Sequence, residues 1–168
     1  MPRIRVLATV GKFAVSLVAV VVVQGILARW FTVFSYFDLP LVYSVYYGFT
    51  LGKPIPSIFL GSALGLMQDG LSGAVIGTNG FSKTLIGVLA ASAVSKFNVD
   101  QPVARVFALF LFSLGDGLVV SILSLMVGSV PPPPYSVSLG TWLLTATFNT
   151  LLGLAMFGYH DRLSNAST

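Results

Sequence analysis

"GLMQDGLSGAVIGTNGFSKT" (residues 65–84) crowds an amide, a carboxylate, an asparagine, a lysine and five glycines between two apolar runs. The run before it predicts a helix over 55–70, and the run after it a helix over 81–95. On the first, Gly61, Gly65, Gln68/Asp69 and Ser72 recur at helical spacing and share one face. On the second, Thr84, Gly87, Ala91 and Ser95 make another stripe of small residues. Gly61-x-x-x-Gly65 is a small-xxx-small pair, and Gly73-x-x-x-Gly77 reads as a second. Helices surrounded by lipid gain little from the hydrophobic effect, so close packing of small residues and interhelical hydrogen bonds must join them. The two stripes therefore predict an antiparallel hairpin packed along its glycines. Gly73, Gly77 and Asn79-Gly80 suit the tight loop between its helices.

Composition supplies the surroundings. The chain has 168 residues, 55% of them hydrophobic and 8% charged, with mean hydropathy +0.91. A soluble domain carries about 25% charge, and one of this size could not bury so much apolar surface. The fold class expected is an all-α integral membrane protein, one domain built as a compact bundle of six transmembrane helices. The helices are predicted over 6–28, 36–51, 55–70, 81–95, 104–128 and 141–159. Arg3 and Arg5 also fit the basic region of a signal peptide, but more apolar segments follow, so an uncleaved first span is simpler. Asp38-Leu39-Pro40 reads as the start of the second helix, with Asp as cap and Pro in the first turn. From there to Leu51 is only about 20 Å at 1.5 Å per residue, against a hydrocarbon core of ~30 Å. Either this helix borrows from residues 30–37 or it lies beside longer neighbours without spanning alone. Pro131 to Pro134 favour an extended spacer of about 12 Å.

The acids are five Asp and no Glu, and net charge is +4. The bases flank apolar runs, so they report orientation rather than a nucleic-acid partner. With the N-terminus in the cytoplasm and six crossings, Arg3, Arg5, Lys12, Lys53, Lys96, Arg105 and Arg162 lie inside. Arg29 and Lys83 lie outside. Both termini are then cytoplasmic.

Two acids demand an explanation at membrane depth, where a carboxylate costs about 2.5–3.5 kcal/mol on insertion scales. Asp69 reads as a helix-end anchor paired with Lys83, with Gln68 and Asn79 as hydrogen-bond neighbours. A docking point for another protein and a proton or ion site are the alternatives; proton coupling wants a second titratable group nearby, and spacing reveals none. Asp116, deep in the fifth helix, either faces the bundle interior or binds a ligand, ion or partner helix. Gln24 and Asn149 are candidate interior partners. Tyr43, Tyr46 and Tyr47 share a face that suits an interface belt, the core or a pocket wall. No cysteine is present, which excludes disulfides and thiolate chemistry. The lone histidine, His160, cannot form a cluster. Neither a phosphate loop, a zinc motif nor a nucleophile elbow occurs. The expectation is a non-enzyme without cofactor or metal, whose candidate structural or partner-binding residues are Gln68, Asp69, Asn79, Lys83, Asp116, Gly61, Gly65 and Gly87.

Residues 37–90, "FDLPLVYSVYYGFTLGKPIPSIFLGSALGLMQDGLSGAVIGTNGFSKTLIGVLA", carry a resemblance. An Asp/Pro-Leu opening to the second helix, a Gly-x-x-x-Gly helix ending in Gln-Asp, an "LSG" turn and a Gly/Asn loop resemble the MreD family of rod shape-determining membrane proteins. In the family pattern Pro commonly precedes the Asp; here Asp38 comes first and Pro40 follows. The resemblance implies a non-catalytic subunit of the bacterial cell-elongation machinery in the cytoplasmic (inner) membrane, serving peptidoglycan synthesis. Its implied partners are MreC, RodA with its class-B penicillin-binding transpeptidase and, indirectly, the MreB filament, besides the lipid bilayer. It also implies a fold similar to the substrate-binding subunits of energy-coupling-factor transporters, which makes a vitamin-binding subunit the alternative. Against that alternative, such subunits dock through small residues spaced four apart on the first helix, whereas "AVSLVAVVVVQG" is Val-rich and bulky.

Because the chain lacks native cysteine, orientation is testable directly. Pro133→Cys in intact cells should react with an impermeant thiol reagent and Lys53→Cys should not; the reverse pattern would invert the topology.

Overall fold

A computed structural model describes residues 2–73, 75–94, 96, 101–127 and 139–165, with side chains between positions 15 and 159. Among the described residues there are six α-helices, one short 3-10 helix and no strand. In chain order they are α1 (Pro2–Trp30), the 3-10 helix Thr32–Tyr36, α2 (Leu39–Leu51), α3 (Pro54–Ser72), α4 (Thr78–Val94), α5 (Pro102–Val127) and α6 (Leu139–Asn165). The tetraproline spacer, Ala74 and Ser95 lie outside the described residues, as do the side chains of Arg3, Arg5, Lys12, His160 and Arg162.

The first and sixth helices run longer than predicted, from Pro2 and to Asn165, and two further boundaries, which bear on the site, are corrected. The second helix does not begin at residue 36. Pro40 lacks an N–H and its ring crowds the carbonyl four residues back, so an α-helix containing it must start within its own first turn. Asp38 provides that start, its Oδ1 accepting from Leu41 N at 3.0 Å. Residues 32–36 form the separate 3-10 helix instead, and α2 keeps its 13 residues. The fourth helix begins at Thr78 rather than 81, which places Asn79 and Gly80 in its first turn.

The predicted hairpin of α3 and α4 is present, and its packing is backbone on backbone. A Cβ added at Gly61 would lie 2.5 Å from the Lys83 carbonyl oxygen and 2.7 Å from Thr84 Cα. One added at Gly65 would overlap the backbone of Asn79 and Gly80. Ser62 Oγ and Thr84 Oγ1 add a hydrogen bond of 2.8 Å across the seam. Gly73 and Gly77 are not a second packing pair. A Cβ added at either would meet no neighbour within 4 Å, and they hold left-handed backbone at φ 68° and 104°, ending α3 and preceding α4. Gly87 lies where three helices meet, a Cβ there coming 3.4 Å from Ser57 O and 3.8 Å from Ser44 Cβ.

The short α2 runs through the middle and touches each of the other five helices. Leu41, Val45 and Phe49 join Ile86, Ala90, Leu109 and Phe157 on one side of it. Leu17, Val21, Leu60 and Leu64 pack on the other, with Tyr43 and Tyr47 against them. These tyrosines therefore lean on the interior, and Tyr43 OH meets Ser16 Oγ at 2.8 Å.

Beside these apolar clusters the interior also seals charged and amide groups, while large apolar side chains face outward. Lys83 is the largest fully buried side chain, and Asp69, Asn79, Ser82 and Asn149 are also sealed. Phe59, Phe107, Leu111, Leu118, Ile122 and Leu151 face outward. An apolar exterior around a core that holds a sealed polar centre suits lipid as solvent. Among the described residues, Val103–Val127 and Leu139–Tyr159 are long and apolar enough to cross a membrane, and Val15–Trp30 is a shorter apolar helix.

Gly65 meets backbone that cannot rotate away, whereas a Cβ at Gly70 would enter open space. Gly65→Ala should therefore cost at least the ~1–3 kcal/mol of an overpacked core, about 5–10 °C in thermal midpoint for the detergent-purified protein. Gly70→Ala should leave the midpoint unchanged; equal behaviour of the two variants would contradict the seam.

Candidate functional site

Asp69 stands near the end of α3, opposite the start of α4. The residue before α4 is Gly77, which has no side chain to cap the helix. Asp69 supplies that oxygen from the neighbouring helix. Its Oδ2 accepts from Gly77 N at 2.8 Å and Gly80 N at 3.1 Å. Its Oδ1 accepts from Asn79 N at 3.1 Å and Asn79 Nδ2 at 2.8 Å. Four donors saturate the carboxylate, and the positive end of the α4 dipole faces its charge. This is the reason α4 starts three residues early: with its orphan amides satisfied, the helix extends back through Asn79 and Gly80.

The amide of Asn79 passes the network on. With Nδ2 given to Asp69, its Oδ1 accepts from Lys83 Nζ at 3.0 Å, one helical turn further along α4. The Lys83 ammonium is also 2.6 Å from Asp38 Oδ2 and 3.1 Å from Asp116 Oδ2. Its three N–H groups thus face three oxygens from three segments of chain. Ser82 Oγ, on the preceding residue, donates to Asp116 Oδ1 at 2.6 Å.

Two further amides tie in the outer helices. Asp38 N–H donates to Asn149 Oδ1 of α6 at 2.7 Å, and Asn149 Nδ2 donates to Ser113 Oγ of α5 at 2.8 Å. Gln24 of α1 accepts from Leu39 N at 2.7 Å and donates to the Phe37 carbonyl at 2.9 Å. Every helix therefore sends at least one polar group into a single connected centre. In a low-dielectric surrounding each such bond is worth more than in water, and each unmade one costs more.

Several expectations are revised by this geometry. Lys83 was expected to pair with Asp69 at the outer surface. It is fully buried, with Asp38 and Asp116 as its carboxylates, because α4 begins early enough to carry it inside. Asp116 meets Lys83 and Ser82; Gln24 and Asn149 hold the Asp38 turn instead. Around Asp69 the partners are backbone N–H groups and the Asn79 amide; the cluster of titratable groups lies instead where Asp38 and Asp116 share one lysine. Asn79 does bond Asp69, whereas Gln68 points elsewhere, with a buried Oε1 that has no protein partner. In sequence Asp38 carries only the signal of a cap, and no spacing marks Ser82. The signal available for both was charge balance: a lysine inside an apolar helix requires carboxylates from other segments.

A family model described as rod shape-determining protein MreD matches residues 5–163. That match spans nearly the whole chain, well beyond residues 37–90, which carry the motifs. No curated protein and no solved structure matches the chain.

Breaking a buried pair on one side leaves charge without a partner, at about 3–5 kcal/mol. Lys83→Met and Asp116→Asn should each sharply lower the thermal midpoint of the purified protein. The double variant should lose at least ~1 kcal/mol less than the sum of the two, because the groups interact. Additive losses would contradict a shared centre.

Proposed function

The chain belongs to the MreD family of membrane proteins that act in rod shape determination, and from that membership together with its interior we propose a non-catalytic scaffold subunit of the cell-elongation complex. In this reading the six helices form one transmembrane bundle, similar to the substrate-binding subunits of energy-coupling-factor transporters, in the inner membrane with both termini in the cytoplasm. The scaffold seats MreC and, through it or beside it, RodA with its class-B transpeptidase. MreB is reached indirectly, and the output is placement of peptidoglycan synthesis.

One observation carries the reading. The polar chemistry of the interior is spent on holding helices together: Asp69 caps α4, Lys83 joins Asp38 to Asp116, and Gln24 and Asn149 fix the turn before α2. A nucleophile needs an activating base within hydrogen-bond reach; the hydroxyls in the centre instead face carboxylates and amides already engaged. A rigid body with an apolar exterior suits a part that positions others. Lys83 does not belong in the count of loop charges, because it is buried; Arg29 then stands alone on the outer side against seven inner bases, which supports the proposed orientation.

The hairpin end carries the exposed Ile76 and Phe81 beside the Asp69 cap, and it is the surface proposed for MreC. Asp69→Ala should still insert in the membrane, losing more than the ~1 kcal/mol of a surface cap because its four donors, three of them buried, are left unpaired, while MreC recovered in a mild-detergent pull-down falls several-fold. Recovery of MreC at wild-type yield with an equally folded variant would count against this surface.

A further inference from the structure

A cavity of ≈ 240 Å³ opens between α1 and α3. Val21, Gly25 and Ala28 of α1 line it opposite Leu71 and Ser72 of α3, and Arg29 completes its wall. Ligand sites join an apolar wall to a few polar groups that fix orientation, and here the two are graded along one axis. Val21 is buried, whereas Arg29 and the neighbouring Trp30 are exposed. About 12 Å of helix separates Val21 from Arg29. Since α1 ends at Trp30 and α3 at Ser72, the charged end of the cavity lies where both helices stop. An exposed Trp beside an Arg is the chemistry of the headgroup level, and the Val21 end reaches into hydrocarbon.

Arg29 has a charge to balance. Among the described residues no carboxylate pairs with it: Asp38 and Asp116 are committed to Lys83, and Asp69 to the start of α4. The C-terminal end of the α1 dipole returns only about half a charge. The remainder comes from outside the chain, and at headgroup level the abundant anion is phosphate. A guanidinium forks onto two phosphate oxygens. A zwitterionic headgroup brings its own cation along with the phosphate, and no acid lines the cavity to receive it. A headgroup of net negative charge meets no such conflict.

Gly25 keeps the apolar part open. A Cβ added there meets only side-chain atoms of Leu71, at 3.8 and 3.9 Å. Both residues line the cavity, so a larger side chain at position 25 takes up its space, and the first atom of that side chain strikes no backbone. Leu71 is itself half exposed, which leaves the cavity open to the surrounding hydrocarbon.

We propose that the groove between α1 and α3 seats one anionic phospholipid, phosphatidylglycerol in chemical class. Its phosphate pairs with Arg29, and one acyl chain lies along Val21, Gly25 and Leu71. The seat rests on the transmembrane reading but not on the scaffold role. Lipid retention is measured without any partner, and thiol labelling at positions 53 and 133 tests the crossing separately.

The test is native mass spectrometry of the purified full chain with defined lipids. The wild-type chain should retain phosphatidylglycerol over phosphatidylcholine of identical chains by about fivefold, the ratio that one base contributes at an anionic surface. Arg29→Gln should bring that ratio near one while both lipids still bind. Gly25→Leu should lower retention of both lipids several-fold by filling the groove. Neither residue belongs to the ion centre, so both variants should keep a thermal midpoint near wild type. Glycerophosphoglycerol, the same headgroup without chains, distinguishes a lipid from a free anion. Its failure to displace the lipid in large excess supports the seat; displacement at the lipid's own concentration would mean an anion site alone and overturn it. Equal retention of the two lipids by the wild-type chain, a preference that survives Arg29→Gln, or unchanged retention in Gly25→Leu would overturn it as well.

Discussion

A lysine ammonium sealed from water is the constraint around which this molecule is arranged. Lys83 has no exposed surface, and lipid offers it neither solvent nor counter-ion. Transfer of such a charge out of water costs several kcal/mol even after relaxation. The cost is offset only when carboxylates approach closely and each N–H finds an oxygen. Here the oxygens come from Asp38, Asn79 and Asp116. One belongs to the turn before α2, one to α4 itself and one to α5. The ammonium can be satisfied only if these three segments converge, so its desolvation dictates tertiary structure.

The rest follows outward from that point. Bringing Lys83 inside requires α4 to begin before it, which requires an acceptor for the first amides of α4. Asp69 provides it from α3. For Asp69 to reach, α3 and α4 must approach to backbone contact, which Gly61 and Gly65 permit. Asp38 must face the lysine while also capping α2, so its turn is held on both sides, by Gln24 and by Asn149. The glycine seam and the ion centre are therefore two ends of one design, in which steric and electrostatic demands select the same arrangement. A protein held this way resists deformation, and that property suits the scaffold role proposed for it.

Much of the frame can be read from the residues. Helical spacing of Gly61, Gly65 and Asp69 shows the face that α3 turns to α4, and Asp38-Leu39-Pro40 gives the start of α2. Hydropathy yields the all-helical class. Other features resist reading for physical reasons. Periodicity fixes which residues share a face of one helix, but not how helices rotate against each other, so Asp38, Lys83 and Asp116 look unrelated along the chain. The start of α4 is hidden because Asn79-Gly80 is ordinary turn chemistry; the cap that overrides it arrives from another helix. That shift of three residues moved Lys83 from the interface to the interior. Gln68 and Asp69 are neighbours on α3, yet one faces a cavity and the other a helix end, a distinction set by azimuth alone.

Amide hydrogen exchange in nanodiscs is the most direct measure of whether the centre exists as described. Helix termini normally exchange quickly because their first amides lack partners. If the network holds, the amides of Leu39, Leu41, Gly77, Asn79 and Gly80 should exchange as slowly as those in the middle of α5. Rapid exchange at these positions, with the middle of α5 protected, would show that neither Asp69 nor the Asp38 turn is engaged, and the account built on Lys83 would fail.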